Sequence, residues 1–255
     1  MSTALYSYAV LLPFVGQDTA LRQLCGIAGR RVRIVHVAEL AVAVSKVPRT
    51  EFNRKALSRH MEDLPWLEAT TRVHRSTVDA LARHTSVLPL RVATVHRDQE
   101  RLAAMVAEHH QHYADALTSL AGHREWQVTV YALPAAHRLT PPSPRGTGSE
   151  EPFVPVHAHS AEAGANQRKA LTVAYRLHKA LAAMAAASRR DPQAGARLTD
   201  EPGTTVTSTA YLVHQGKSEA FTRLVEHAAA KTPGVKIELA GPGACISFDP
   251  TGKPS

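Results

Sequence analysis

Residues 63–92 read DLPWLEATTRVHRSTVDALARHTSVLPLRV, and this stretch narrows the choice of folds more than any other. Leu67, Val73, Thr77, Val78 and Leu81 recur near helical spacing. They predict an amphipathic helix from Trp66 to His84 that buries one face. Val87 to Val92 then reads as a strand, yet Pro89 has no N–H to give to a ladder. Such a strand belongs at a sheet edge or a bulge. A half-buried helix running into an edge strand needs a sheet to lie on, which points to α+β layering.

The flanking residues extend that pattern. Leu5 to Leu12 reads as a first strand, with Tyr6, Tyr8 and Val10 alternating with small residues. Asp18 to Gly26 reads as a short helix, and Val32 to Val37 with Leu40 to Ser45 as a hairpin. Glu51 to Glu62 precedes the Trp66 helix as another helix. Asp98 is an N-cap candidate for one long helix bearing Leu102, Met105, Val106, Tyr113, Ala116, Leu117 and Leu120, ended by Gly122. Glu125 to Leu133 closes the half as a strand with Trp126, Val128 and Val130 on one face.

Composition shifts at Pro134. TPPSPRGTGSEEPFVP (Thr140 to Pro155) is rich in Pro, Gly and Ser and reads as a linker. Ala163 to Arg190 reads as a long alanine-rich helix with Leu171, Tyr175, His178, Leu181 and Met184 at compatible spacing. Asp191 to Gly203 reads as a loop. Strand (Thr205 to His214), helix (Lys217 to Lys231) and two strands (Val235 to Leu239, Ala244 to Phe248) follow. The expected organisation is α+β in two lobes. Residues 1–133 form an N-terminal ferredoxin-like domain, an antiparallel sheet with helices on one face. Residues 134–162 are the linker, and residues 163–255 form a smaller C-terminal α+β domain with the long helix.

Lys and Arg total 30 against 22 Asp and Glu, a net charge of +8. That excess favours acidic partners but does not name one. The tightest basic cluster, Arg30, Arg31 and Arg33, reads as solvated surface, and no aromatic-basic strand or helix-turn-helix pattern supports nucleic acid. The two cysteines, Cys25 and Cys245, form no CxxC pair and read as reduced thiols. The N-terminal apolar run lacks a basic leader and is broken by Pro13, so it reads as a strand and not a signal peptide. No segment has the length of a membrane span. These features place the chain in the cytoplasm.

Sites for chemistry are scarce. His109, His110 and His112 share a helix, but no HExxH and no nearby Cys completes a zinc set. GxxxxGK[ST], GxGxxG after a strand and GxSxG are all missing. No catalytic, cofactor-binding or metal-binding residue is assigned. Trp66 and Trp126, the two tryptophans, stand at element boundaries, where large rings pin helix to sheet. Arg91 invites either a fixed pair with Glu68 or Glu125, or a contact with a partner.

Several blocks, in order, resemble the GvpF and GvpL gas vesicle proteins. These are YSYAV at Tyr6, LAVAVSKV at Leu40, Glu51-Phe52, Asp63 with Trp66 and Leu67, His74, and VLPLR at Val87. LTSLAGHREWQVTV at Leu117, AYLV at Ala210, Gly241-Pro242 and Ser247-Phe248 complete the series. The chain departs from that family in carrying GTGSEEPFVPVHAHSAEAGANQR where an arginine-rich AYL segment is usual, and GPGACISF at its end. The resemblance implies a non-enzymatic accessory protein of gas vesicle assembly, associated with the shell protein GvpA and with other accessory proteins. Trp66, His74, Pro89, Arg91 and Trp126 are put forward as partner-binding residues. The competing reading, carried by net charge, is a basic nucleic-acid-binding or regulatory protein. A small His-based hydrolase is a third reading, opposed by the missing nucleophile motif.

Overall fold

The computed structural model describes residues 2–134, 156–191 and 203–248, with the backbone alone described for 156–163. The expected linker from 140 to 155 and most of the loop after Asp191 lie outside these residues. The chain forms two compact units. The first holds residues up to Glu125 together with those from Pro242 onward, and the second runs from Trp126 to Gly241. The division thus falls inside the REW strand, not at the composition shift near residue 134. The Trp126 side of that strand pairs into the second unit's sheet, while the Glu125 carboxylate binds Ser247.

In the first unit the strands are β1 (Thr3–Leu11), β2 (Val32–Val37), β3 (Leu40–Pro48), β4 (Val87–Pro89) and β5 (Val95–His96). The sheet order is β2-β3-β1-β4, with β5 also paired to β1. β1 runs antiparallel to β3, β4 and β5, and β2 antiparallel to β3. This is the ferredoxin-like strand order. β4 is an edge strand, so the missing N–H of Pro89 breaks no ladder there. A bulge between Ser7 and Ala9 shifts the β1 register.

The short α1 (Gln17–Leu21), α2 (Arg54–His60) and α3 (Leu64–Ala82) occupy one face. Asn53 caps α2 by accepting from Ala56 N–H at 2.9 Å, and Asp63 caps α3 by accepting from Trp66 N–H at 3.2 Å. Val78 and Leu81 of α3 share one buried cluster with Tyr6, Tyr8, Ala41, Ala43 and Val47 of the sheet. β1 is buried at eight consecutive positions, which a sheet covered on one side does not allow. The second cover is α4 (Gln99–Glu108) on β2 and α5 (His110–Leu120) on β4. The expected single long helix is therefore two. Its apolar stripe lapses between Val106 and Tyr113, and the chain leaves helical geometry at His109 (φ −113°, ψ 17°). Asp98 caps α4 as expected, at 2.9 Å from Arg101 N–H, and Gly122 ends the segment with φ 71°.

The second unit contains β6 (His123–Ala132, entering from the first), α6 (Val156–Ala182), β7 (Ala187–Arg190), β8 (Thr204–His214), α7 (Ser218–Ala230) and β9 (Val235–Gly243). Its sheet order, β7-β8-β6-β9, repeats that of the first unit. Four local expectations are corrected. The long helix starts at Val156, inside the expected linker, and residues 187–190 are a strand. Its buried face is Ala170, Ala174, Leu177 and Leu181, while Leu171 and Tyr175 face out. Alanines let the helix lie close to the sheet, and the close approach continues at its start. There Asn166 donates to the Leu133 carbonyl at 3.1 Å, and a Cβ on Gly234 (φ 82°) would strike the Asn166 side chain. Finally, residues 246–248 form a 3-10 turn and not a strand.

Candidate functional site

Three of the five proposed contact residues lie inside. His74 is 4% exposed on α3. Its Nδ1 is 3.0 Å from the Tyr6 hydroxyl, which also accepts the Ala93 N–H at 3.1 Å. The tyrosine proton is therefore free to go to the imidazole. Burial lowers the His74 pKa to about 4, against the opposing pull of a hydrogen bond to the Leu90 backbone. His74 is thus a neutral acceptor at neutral pH. The network pins the turn after β4, where Ala93 sits at φ 65°, a costly conformation for a residue with a Cβ. Pro89 is buried in β4. Trp126 is buried in the second unit, tilted against Phe221 at 6.1 Å, with no acceptor for its indole N–H among the described residues.

Two proposed residues reach the surface. Arg91 is exposed. Trp66 is half-buried at the α2–α3 junction. The His60 ring stacks on it at 4.5 Å and 10°, and Phe52 lies beneath at 6.3 Å. Beside this stack in sequence, Met61 and Leu64 are 45% and 67% exposed. On α6, Leu171 and Tyr175 are 53% and 70% exposed, one helical turn apart. All four side chains fall off the buried stripes of their helices.

A second tyrosine network runs through Tyr8. Its hydroxyl accepts the Ile27 N–H at 2.7 Å and donates to Ser45 Oγ at 3.0 Å. Ser45 in turn donates to the Arg30 and Arg31 carbonyls at 3.3 and 3.2 Å. A Cβ at Gly26 would collide with the Tyr8 hydroxyl, so this loop requires glycine. The carboxylate of Glu125 accepts both the N–H and the hydroxyl of Ser247 at 2.7 Å, so the expected pair with a basic neighbour is replaced by a clasp on the C-terminal segment. Burial raises the Glu125 pKa, and the Ser247 bonds and the Arg75 charge hold it back. Asp79 accepts the Ala244 N–H at 2.8 Å on the same segment. Cys245 is buried there, with its pKa pushed up to about 12 by burial, and both thiols are free.

Among the described residues no three His, Cys, Asp or Glu side chains are placed to hold a metal, and His110 contacts Glu39 at 2.9 Å. Among them, too, no helix is long and apolar enough to cross a membrane.

The family model for gas vesicle synthesis protein GvpL/GvpF matches residues 4–250. Gas vesicle protein L of Streptomyces sp. (strain CB03234) is 35% identical over 248 residues, covering 95% of this chain and 91% of that one. The chain belongs to the GvpL/GvpF family. The fold agrees with two solved structures. Gas vesicle protein GvpF from Anabaena sp. PCC7120 superposes with a TM-score of 0.69 at 15% identity, over 99% of this chain and 98% of that one. GvpF from Microcystis aeruginosa gives 0.62 at 16% identity, over 96% and 98%. In this GvpL/GvpF chain the sequence blocks that carry the resemblance do framework tasks. YSYAV and His74 build the buried networks, VLPLR makes the edge strand, and REW splits its two large side chains between the units.

Proposed function

We propose that this GvpL/GvpF protein is a non-catalytic accessory factor that binds the hydrophobic shell protein GvpA in the cytoplasm before it joins the gas vesicle shell. Family membership across residues 4–250 carries the reading. A physical need supports it. A shell subunit presents an apolar face to gas, and in water that face drives aggregation unless it is covered. Exposed apolar side chains at Met61 and Leu64 in the first unit, and at Leu171 and Tyr175 in the second, are suited to such cover. Binding is reversible, because a permanent complex would block hand-over to the growing shell. The same logic extends to other accessory proteins as co-assembling partners.

The test is co-expression of tagged chain with the shell protein. The wild type co-purifies the subunit. Met61→Glu with Leu64→Glu, or Leu171→Glu with Tyr175→Glu, reduces the yield at least about fivefold while circular dichroism is unchanged. Absence of co-purification from the wild type, with no change in shell-protein solubility, overturns the reading.

A further inference from the structure

The Arg30–Arg31–Arg33 cluster is not dispersed surface charge. It lines two adjoining clefts of about 570 and 400 Å³ on either side of β2, with Arg31 and Arg33 shared between them. Fifteen residues line the pair. Five are Arg or Lys (Arg22, Arg30, Arg31, Arg33 and Lys46) and one, Asp18, is acidic. Chain-wide the balance is 30 to 22, so the excess is local. Among the described residues none of the five cations makes an ion pair. The backbone beneath them is fixed by the Tyr8–Ser45 network, so the charges are presented from a rigid base.

β2 is also an edge strand. The loop before it covers only its start, where Leu24 accepts the Val32 N–H at 3.0 Å and Cys25 bridges Arg31. Ile34 and His36 point the same way as Val32 in the antiparallel register, and among the described residues their N–H groups have no acceptor. α1 flanks this free stretch, so a strand edge and a helix bound one trough. The exposed Gln17–His36 contact at 3.0 Å spans the far end and has to open for an occupant that pairs as far as His36.

We propose that an extended acidic segment of a partner polypeptide docks along β2, adding as a short strand beside residues 34–37 with its carboxylates on Arg31, Arg33 and Lys46. Main-chain pairing supplies the register and the cations select the charge. No Phe, Tyr or Trp lines either cleft, so bases of single-stranded nucleic acid would lack a stacking platform. This recognition is independent of shell-subunit binding, since it uses charge and strand edge where that reading uses apolar cover.

Fluorescence anisotropy with the full chain tests it, using a labelled peptide of alternating Glu and Val. The comparison probes are the same peptide with alternate backbone nitrogens methylated, and oligothymidine. The plain peptide binds at least about tenfold tighter than the methylated one, and Arg31→Glu with Arg33→Glu weakens it by a similar factor. Ile34→Pro removes one outward N–H and weakens it about fivefold, as proline is tolerated at such an edge position. Should that variant not fold, hydrogen exchange at Ile34 and His36 in the wild type decides, slowing when the peptide is added. Equal affinity for the methylated peptide or oligothymidine, unchanged exchange at those amides, or charge-reversed affinity within about twofold of wild type overturns the proposal.

Discussion

At the residue scale, His74 sets a pH limit on the first unit. Its folded pKa of about 4 lies below the unfolded value near 6.5. Between these values the unfolded chain binds more protons, so stability is full above pH 6.5 and falls as pH drops toward 4. The shift corresponds to a loss on the order of 3 kcal/mol. Glu125, whose pKa is raised, changes in the opposite sense, being destabilising as pH rises past its unfolded value. The comparison of wild type with His74→Gln therefore isolates the imidazole. Urea unfolding at pH 7 and pH 4.5 is expected to show a smaller stability loss in the variant, and equal losses would refute the assignment. The sequence flagged His74 but not its role. Tyr6 is 68 positions away, and no local pattern announces that a polar residue on a buried helix face has its partner on a strand.

At the element scale, two segments carry predictions. The clasp on residues 244–247 depends on Glu125. Glu125→Ala removes both hydrogen bonds to Ser247 and costs about 2–3 kcal/mol. Hydrogen exchange at Ala244 and Ser247 is expected to accelerate in the variant, and unchanged protection would show that the clasp contributes nothing. On α6 the buried alanines make a tight seam, so Ala170→Leu costs about 1–3 kcal/mol by overpacking, while Leu171→Ala stays within about 0.5 kcal/mol. Thermal unfolding separates the two, and the reverse order would contradict the assigned face. The spacing of large side chains alone points to the opposite face. In a helix pressed close to a sheet, Ala170 and Ala174 are the residues that fit, and Leu171 and Tyr175 are left outside. The hairpin of β2 and β3 agrees with the sequence at β2 and at its turn, which are local signals, while β3 runs three residues past the expected Ser45, to Pro48. β7 was lost because four exposed residues, ASRR, continue an alanine-rich run with no apolar alternation.

At the scale of the whole molecule, one strand order serves twice. Each unit contains the order strand, helix, two strands, helical segment, strand, to which the first adds β5, α4 and α5, and each sheet places its first strand between its third and fourth. In the first copy β1 and β3 are long and apolar and mark the plan in the sequence. In the second, the short β7 and the alanine-faced α6 hid the same plan. The proposed contact surfaces are legible only in part. Exposed Trp66 neighbours and the arginine cluster stand out in sequence, but their burial and pairing are set by distant elements. The role proposed for this scaffold is to shelter an apolar shell subunit without carrying out a reaction. The direct test is to dilute denatured GvpA into buffer with increasing amounts of the purified chain and measure the shell protein left in the supernatant. The account predicts that the soluble fraction rises and levels off near stoichiometric amounts. Identical pelleting with and without the chain would contradict it.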